Sequence, residues 1–213
     1  MQATSKVSDS HKPTRSNMSV SGLNTPIRVG FDLDGVLFYN PLRFVRKPIE
    51  LVKKHILHKD TQKFYVPKTK IEKALWKLIH MSSVNPATGW EMIRKMKENG
   101  LIEPYLITAR FACLENDFLR CLDRIDAKQY FAGTFHNAQD EQPHLFKERM
   151  IKSLGIEFFV EDNWNIVDHL NKNTDAKVLW ISNFMDNDIE FSNRYNSLLE
   201  ALQKLPSHLN SKS

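Results

Sequence analysis

The sequence of 213 residues has no apolar run of the roughly 18 to 20 residues that a membrane-spanning helix needs, and no apolar signal core near its N-terminus. It has only two cysteines, Cys113 and Cys121, which lie on one predicted helix about 12 Å apart, too far for a disulfide. It has no P-loop, no GxGxxG sequence, no Cys/His zinc pattern and no internal repeat. These absences argue against membrane-spanning, secreted and zinc-binding classes. We expect a cytoplasmic globular protein with reduced thiols and no membrane contact.

The first 25 residues are poor in apolar side chains. They hold nine Ser or Thr residues, three basic residues and one Asp. Such a stretch buries too little apolar surface to offset its chain entropy. We therefore predict a disordered tail over residues 1–25.

The positive charge is concentrated in one segment. Between Arg43 and Lys77 there are eleven basic and three acidic residues, a local charge of +8 within a chain whose net charge is +5. A basic segment can draw anions toward a neighbouring cleft, or its lysines can simply solvate a helix face. The composition leaves both interpretations open.

The hydrophobic pattern alternates between short apolar strands and amphipathic helices. The predicted strands cover residues 27–31, 104–108, 130–135, 156–160 and 177–181. The predicted helices cover 48–57 and 70–81 in an insert, then 88–98, 113–125, a segment around Phe146 to Leu154, a segment from Trp164, and a terminal segment near Arg194 to Lys204. This order is typical of an α/β fold, a Rossmann-like three-layer parallel sheet of five strands. We expect the core to comprise residues 26–38 and 87–213, with a small helical cap insert over 39–86.

Polar side chains follow three of the predicted strands, where parallel sheets bind ligands. Asp32 and Asp34 follow the first strand, and Thr108 ends the second. Glu161, Asp162 and Asn163 follow the fourth, and Lys147 lies on the helix before it. Each has a simpler explanation by itself, because Asp-x-Asp-Gly suits a turn, Thr, Asp and Asn cap helices, and a helix lysine is commonly solvated.

The combination points to a metal site. Carboxylates from separate strand ends that meet at one point repel each other unless a hard cation neutralises them. Mg²⁺ is usually held by one or two carboxylates, water and a substrate phosphate, while a hydroxyl and an ammonium group can hold the remaining phosphoryl oxygens. The set therefore predicts Mg²⁺-dependent phosphoryl chemistry.

The same residues resemble the four motifs of the haloacid dehalogenase superfamily, in order. The motifs are Asp32-Leu-Asp-Gly-Val36, the strand-ending Thr108, Lys147, and Glu161-Asp162, and the match covers roughly residues 27–182. The endings Leu-Ile-Thr-Ala-Arg110 and Val-Glu-Asp-Asn163 resemble the 5′-nucleotidase-like phosphatases of that family. The family's dehalogenases lack the second Asp, so the presence of Asp34 favours a phosphatase.

The resemblance implies a role for each residue. Asp32 would be the nucleophile that forms an aspartyl-phosphate, and Asp34 the acid and base. Thr108, Lys147 and Arg110 would bind phosphoryl oxygens. Asp32, Asp162 and the main-chain carbonyl of Asp34 would hold Mg²⁺, with Glu161 and Asn163 around them.

Two residues have alternatives. Lys152 is a second candidate for the motif lysine, although its spacing to Leu-Gly-Ile fits less well than that of Lys147. Asp168 is either another outer group of the metal site or an exposed helix residue.

The expected function is that of a phosphoric monoester hydrolase acting on a small phosphorylated substrate, a nucleoside monophosphate or a sugar phosphate. The family places a cap where the basic insert lies. The alternatives are a phosphotransferase with the same intermediate and a protein that docks polyanions through the insert. Because a docking module would have no use for the catalytic set, nucleic acid is not an expected partner.

Overall fold

The computed structural model describes residues 25–39, 69–80 and 85–210, together with Phe64 and Pro67. The tail predicted over residues 1–25, apart from its last residue, lies outside the described residues. So does the helix predicted over 48–57.

The described residues contain one large parallel sheet and one small antiparallel pair. The strands are β1 (Ile27–Phe31), β2 (Phe38–Tyr39), β3 (Asn85–Pro86), β4 (Ile102–Phe111), β5 (Gly133–Asn137), β6 (Phe158–Glu161), β7 (Lys177–Ile181) and β8 (Arg194–Tyr195). The large sheet has the order β5-β4-β1-β6-β7-β8, and every pairing within it is parallel. The predicted α/β class with a parallel sheet is confirmed.

Helices cover both faces of the sheet. They are α1 (Lys70–His80), α2 (Trp90–Glu98), α3 (Glu115–Arg124), α4 (Ala127–Tyr130), α5 (Pro143–Leu154), α6 (Trp164–Asn173) and α7 (Leu198–Asn210). Residues of α2, α3 and α7 pack in one buried cluster, and residues of α5 and α6 pack in a second. The three-layer arrangement follows from strands that are apolar on both faces.

Alternate residues of a strand supply the two core layers. In β6, Phe158 and Val160 belong to the cluster with α2, α3 and α7, whereas Phe159 between them belongs to the cluster with α5 and α6. β7 alternates likewise, with Trp180 on the α5 and α6 side. Because side chains of a strand point to opposite faces in turn, β6 and β7 contribute to both core layers and lie in the interior of the sheet.

β1 lies at the point where the strand order reverses. Its neighbours are β4 and β6, so Phe31 pairs with Leu106 on one side and with Val160 on the other. From β1 the strand order runs outward through β4 to β5 on one side and through β6 and β7 to β8 on the other. A doubly wound sheet has its ligand crevice at the carboxyl ends of the strands beside such a point, immediately after Phe31.

The number of strands predicted from the sequence was wrong by one. The sixth strand, β8, has only two residues, Arg194 and Tyr195, which the sequence analysis assigned to the terminal helix. The helix begins later because Asn196 donates its backbone N–H to Glu200 and Glu200 donates its own to Ser197 Oγ. These contacts cap α7 immediately before Leu198 and leave the preceding residues extended.

Three other strands differ from their predicted limits, one of them β6, which covers Phe158–Glu161 and not 156–160. β5 begins at Gly133, because residues Ala127–Tyr130 form the short helix α4. β4 runs to Phe111 and does not end at Thr108. Its pairing with β5 advances three residues, from Thr108 to Phe111, for one residue of β5, so Ala109 and Arg110 form an irregular segment.

The small antiparallel pair brings together the two ends of the segment predicted as an insert. Phe38 pairs with Pro86 and Tyr39 with Asn85, whereas the division into core and cap stays a prediction. The helix predicted over 70–81 is confirmed as α1. No helix in the part of the chain that the structure describes is long and apolar enough to cross a membrane.

Candidate active site

The structure brings the predicted site residues to one end of the sheet. Asp32 follows β1, Asp162 follows β6, and Thr108 lies in β4. Lys147 comes from the first half of α5 and Asp34 from the turn after β1. All five side chains are buried.

Lys147 bridges two of the carboxylates. Its Nζ lies 3.0 Å from Asp32 Oδ1 and 2.5 Å from Glu161 Oε2, and it lies above the ring of Phe159. The alternative lysine, Lys152, pairs with Glu148 on the outer surface of α5. The structure therefore brings Lys147 and not Lys152 to the site.

Burial and crowding change the protonation of these groups. Burial raises the pKa of Asp32 to about 7, and the charges of Glu161, Asp162 and Asp34 add to the rise while Lys147 opposes it. Burial also raises the pKa of Glu161. Burial acts to lower the pKa of Lys147, but the charges of Asp32 and Glu161 outweigh it and raise that pKa. The site thus concentrates negative charge that one ammonium group only partly neutralises.

The carboxylates fit a divalent cation. Asp32, Glu161 and Asp162 each offer a carboxylate oxygen within 4.8 Å of the others. Oδ1 of Asp32 is buried and accepts no well-aligned hydrogen bond. Glu161, in contrast, uses both oxygens, since Oε2 contacts Lys147 and Oε1 accepts the backbone N–H groups of Asp162 and Asn163. Oxygen ligands of this kind suit Mg²⁺, and Asp32 fits direct ligation better than Glu161 does.

Gly35 allows the loop after β1 to approach the loop after β6. Its φ is +87°, and a Cβ at this position would lie 2.2 Å from Asp162 Oδ2. Trp180 Nε1 donates a hydrogen bond to the main-chain oxygen of Asp162. A residue with a side chain at position 35 would displace Asp162.

Arg110 forms a two-pronged ion pair with Asp34. Its Nε donates to Asp34 Oδ2 at 2.8 Å and its Nη2 to Oδ1 at 2.7 Å. Its Nη1 donates to Cys121 Sγ. Burial acts to lower the pKa of Arg110, but the charge and hydrogen bonds of Asp34 outweigh it and raise that pKa above its ordinary value. The phosphate-binding role expected of Arg110 stays a prediction, since the guanidinium is directed at Asp34.

The remaining candidates divide between the site and the surface. Thr108 Oγ1 accepts the backbone N–H of Arg110 at 3.4 Å. Asn163 caps α6, because its side chain accepts the N–H of Asn165. Asp168 is partly exposed and pairs with Lys172 one turn further along α6, and its assignment to the outer part of the metal site stays a prediction.

A cleft of about 640 Å³ adjoins the site at Gly35. Its walls come from the turn after β1, the return from the insert, the segments after β7 and β8, and the start of α7. Its lining residues are Gly35, Val36, Tyr39, Pro86, Ala87, Thr88, Ile181, Ser182, Asn183, Phe184, Asn187, Asn196, Ser197 and Leu198. None of these carries a charge at neutral pH. Tyr39 and Phe184 are largely exposed, at 49% and 68%.

Three features of the site escaped the sequence analysis: the pairing of Arg110 with Asp34, the contact of Cys121 with Arg110, and the support of Asp162 by Trp180. Arg110 is expected from the sequence to bind phosphoryl oxygens, and nothing in its spacing identifies Asp34 as its partner. Trp180 was recognised as a strand residue. Its alternation within β7 predicts burial, but not a hydrogen bond to the loop after β6.

No family model matches the chain, and no curated protein matches it. Solved structures do match. A predicted phosphatase from Clostridium acetobutylicum is 12% identical, with a TM-score of 0.59 over 86% of this chain and 100% of that one. CbbY from Rhodobacter sphaeroides in complex with phosphate is 12% identical, with a TM-score of 0.53 over 81% of this chain and 95% of that one.

A third similar structure is a HAD-superfamily hydrolase from Ehrlichia chaffeensis. It is 16% identical, with a TM-score of 0.50 over 89% of this chain and 100% of that one. At such identities the likeness shows a shared fold and does not extend to substrate or residue roles. The chain has the α/β fold that its structural neighbours among the haloacid dehalogenase superfamily hydrolases have.

Proposed function

We propose that this protein is a Mg²⁺-dependent phosphatase that hydrolyses a small phosphate monoester through an aspartyl-phosphate on Asp32. The observation that carries the proposal is the buried contact of Asp32 with Lys147, beside Glu161 and Asp162, at the point where the strand order reverses. Burying charged groups of both signs costs folding free energy, so such a cluster at a ligand crevice indicates a functional site. Its charges are suited to stabilising a phosphoryl group.

In the proposed reaction a carboxylate oxygen of Asp32 forms a bond to phosphorus while the bond to the leaving oxygen breaks. Asp34 donates a proton to that leaving oxygen. In the second half, Asp34 takes a proton from a water molecule, the water oxygen bonds to phosphorus, and the bond to Asp32 breaks. The covalent route divides one difficult displacement into two.

The other residues of the site bind or position the charged groups. Lys147 offsets the repulsion between Asp32 and Glu161, and with Thr108 it would bind phosphoryl oxygens. Asp32, Asp162 and the main-chain carbonyl of Asp34 would hold Mg²⁺. When bound, Mg²⁺ neutralises the carboxylates and polarises the phosphoryl group. Glu161 keeps Lys147 and the backbone of the loop after β6 in position.

The cleft supports a substrate whose organic part is uncharged. A second phosphate or carboxylate on the substrate would find no cationic partner among the described lining residues. Amides and hydroxyls can hydrogen-bond to a sugar, and the exposed rings of Tyr39 and Phe184 can stack on a flat group. A nucleoside monophosphate or a sugar phosphate fits this lining, in keeping with the resemblance to 5′-nucleotidase-like phosphatases.

The test is phosphate release from nucleoside monophosphates, sugar phosphates and p-nitrophenyl phosphate, with Mg²⁺ or with EDTA. We expect Mg²⁺-dependent turnover that Asp32→Asn lowers by at least about 1,000-fold. The matched control is Asp168→Asn, because Asp168 is a partly exposed aspartate that pairs with Lys172, and this variant should retain wild-type activity. Turnover that survives in EDTA or in Asp32→Asn would contradict the proposal.

The alternatives have separate signatures. A phosphotransferase would consume substrate faster than it releases phosphate when acceptor sugars or nucleosides are present. A protein that docks polyanions would bind to a heparin column at about 50 mM salt, and its affinity would fall steeply as the salt concentration rises. Most residues of the basic insert lie outside the described part of the chain, so its contribution stays a prediction.

A further inference from the structure

The ion pair of Arg110 and Asp34 is withdrawn from solvent. The side chains of Arg110 and Asp34 are 1% and 7% exposed. Both carboxylate oxygens accept from the same planar guanidinium, at 2.7 and 2.8 Å. Two parallel hydrogen bonds to a planar fork restrict the rotation of a carboxylate in a way that one ammonium contact does not.

Arg110 also makes two hydrogen bonds to residues other than Asp34. Its Nη1 donates to Cys121 Sγ on α3, and its backbone N–H donates to Thr108 Oγ1. It lies in the irregular segment of β4, where the pairing with β5 shifts between Thr108 and Phe111. The guanidinium is thus anchored to the sheet and to α3 as well as to Asp34.

We propose that Arg110 is a positioning residue that fixes the carboxylate of Asp34 beside Asp32, and that it contacts Asp34 and not the substrate phosphate. The inference rests on the proposed function, in which Asp34 transfers protons to and from the reacting oxygens. Arg110 acts by limiting where that carboxylate lies.

The role has a consequence that depends on the leaving group. An alkoxide leaves only when it receives a proton, whereas p-nitrophenolate leaves without one. Replacing a residue that positions the proton donor should therefore lower the rate of hydrolysis of alkyl phosphates much more than that of p-nitrophenyl phosphate. Replacing a residue that binds phosphate, or only supports the fold, should lower both rates equally.

The experiment compares the full chain and its variants on glycerol phosphate and p-nitrophenyl phosphate at saturating Mg²⁺. Arg110→Met removes the pair, and Arg110→Lys keeps the charge but loses the planar fork. The matched control is Arg28→Met, because Arg28 pairs with Glu103 at the amino end of β1, at the opposite end of the sheet. Circular dichroism identifies variants that do not fold, in which case Arg110→Lys carries the test.

We expect Arg110→Met to lower kcat on glycerol phosphate by about 100-fold and kcat on p-nitrophenyl phosphate by less than about threefold, with little change in either KM. Arg110→Lys should show a smaller loss with the same selectivity. In an Asp34→Asn background, Arg110→Met should cause no further loss on glycerol phosphate, because the two residues act as one unit.

Three results would overturn the inference. Equal losses on both substrates would assign Arg110 a structural role, and equal rises in KM would assign it to phosphate binding. A gain on glycerol phosphate would mean that Arg110 restrains Asp34 from acting. If the wild type hydrolyses neither substrate, the proposed function fails as well, and this result differs from a wild type that is active on both.

Discussion

Gly35 and Asp162 lie in direct contact, so that a Cβ on Gly35 would come within 2.2 Å of Asp162 Oδ2. The contact joins the loop after β1 to the loop after β6. It places the Asp-x-Asp-Gly turn against the loop that carries Asp162, with no room for a side chain between them. The glycine of Asp-x-Asp-Gly is therefore required for the spacing of the site as well as for its turn.

Gly35→Ala should lower the affinity for Mg²⁺ and the activity, because the methyl group would displace Asp162. We expect at least a tenfold loss of kcat/KM and a cost of about 1 to 3 kcal/mol in the free energy of unfolding. Phosphate release measured over a range of Mg²⁺ concentrations gives the change in activity and Mg²⁺ affinity, and thermal unfolding gives the change in stability. Gly100→Ala is the control, because Gly100 also has a positive φ, +67°, but no atom lies within 4 Å of its added Cβ. Equal effects of the two substitutions would contradict the prediction.

Lys147→Met should abolish activity and destabilise the protein. The substitution leaves Asp32 and Glu161 buried without their cation, at a cost of about 3 to 5 kcal/mol. Lys152→Met is the matched control on the same helix, where the pair with Glu148 is exposed and contributes little. Urea unfolding and phosphate release should separate the two lysines. Wild-type stability in Lys147→Met would show that the buried pair is not formed.

The stability of the metal-free protein should fall as pH rises from about 4 to 7. The pKa of Asp32 is raised to about 7 from 3.8, so the folded state binds a proton that the unfolded state has already lost over this interval. Stability falls with pH wherever the folded state binds more protons. Mg²⁺ competes with that proton, so it should raise the melting temperature by several degrees at pH 7.5 and by less at pH 5.5.

Differential scanning calorimetry with Mg²⁺ or EDTA at the two pH values measures this difference. Asp32→Asn removes the titrating group and should reduce the dependence on pH. A Mg²⁺ effect that is equal at both pH values in the wild type would count against Asp32 as a metal ligand.

Phe184→Ala should raise KM for a nucleoside monophosphate by about fivefold and leave kcat unchanged, because a stacked ring contributes to binding and not to the chemistry. KM for glycerol phosphate, which has no ring, should change little. Leu119→Ala is the control, since Leu119 is an exposed apolar residue on α3 outside the cleft lining. An equal change in KM for both substrates would argue against stacking in the cleft.

Local patterns in the sequence were sufficient to predict the parallel sheet and which candidate residues lie together at its carboxyl end. The four interior strands of the large sheet, β4, β1, β6 and β7, contain short apolar runs, as interior strands of a parallel sheet do because both of their faces are covered. Their carboxyl ends lie at one edge, so the residues after β1 and β6 could be expected to meet before any contact was known. The helix over 70–80 followed from its periodicity in the same way.

Features that depend on contacts distant in the sequence could not be predicted. Two residues, Arg194 and Tyr195, are too few to show a strand pattern, and they become a strand only because β7 offers an edge. Spacing to Leu-Gly-Ile already favours Lys147 over Lys152 in the sequence, whereas the burial of Lys147 on the face of α5 that packs against the sheet is seen only in the structure.

The sequence by itself determined which chemical groups stand at the ends of the strands, because strand periodicity and the order of the motifs are local properties of the chain. Only the tertiary structure decided which of those groups touch. Asp34 pairs with Arg110, 76 residues away, because the irregular segment of β4 brings the guanidinium beside it. Gly35 meets Asp162 because β1 and β6 are neighbours in the sheet.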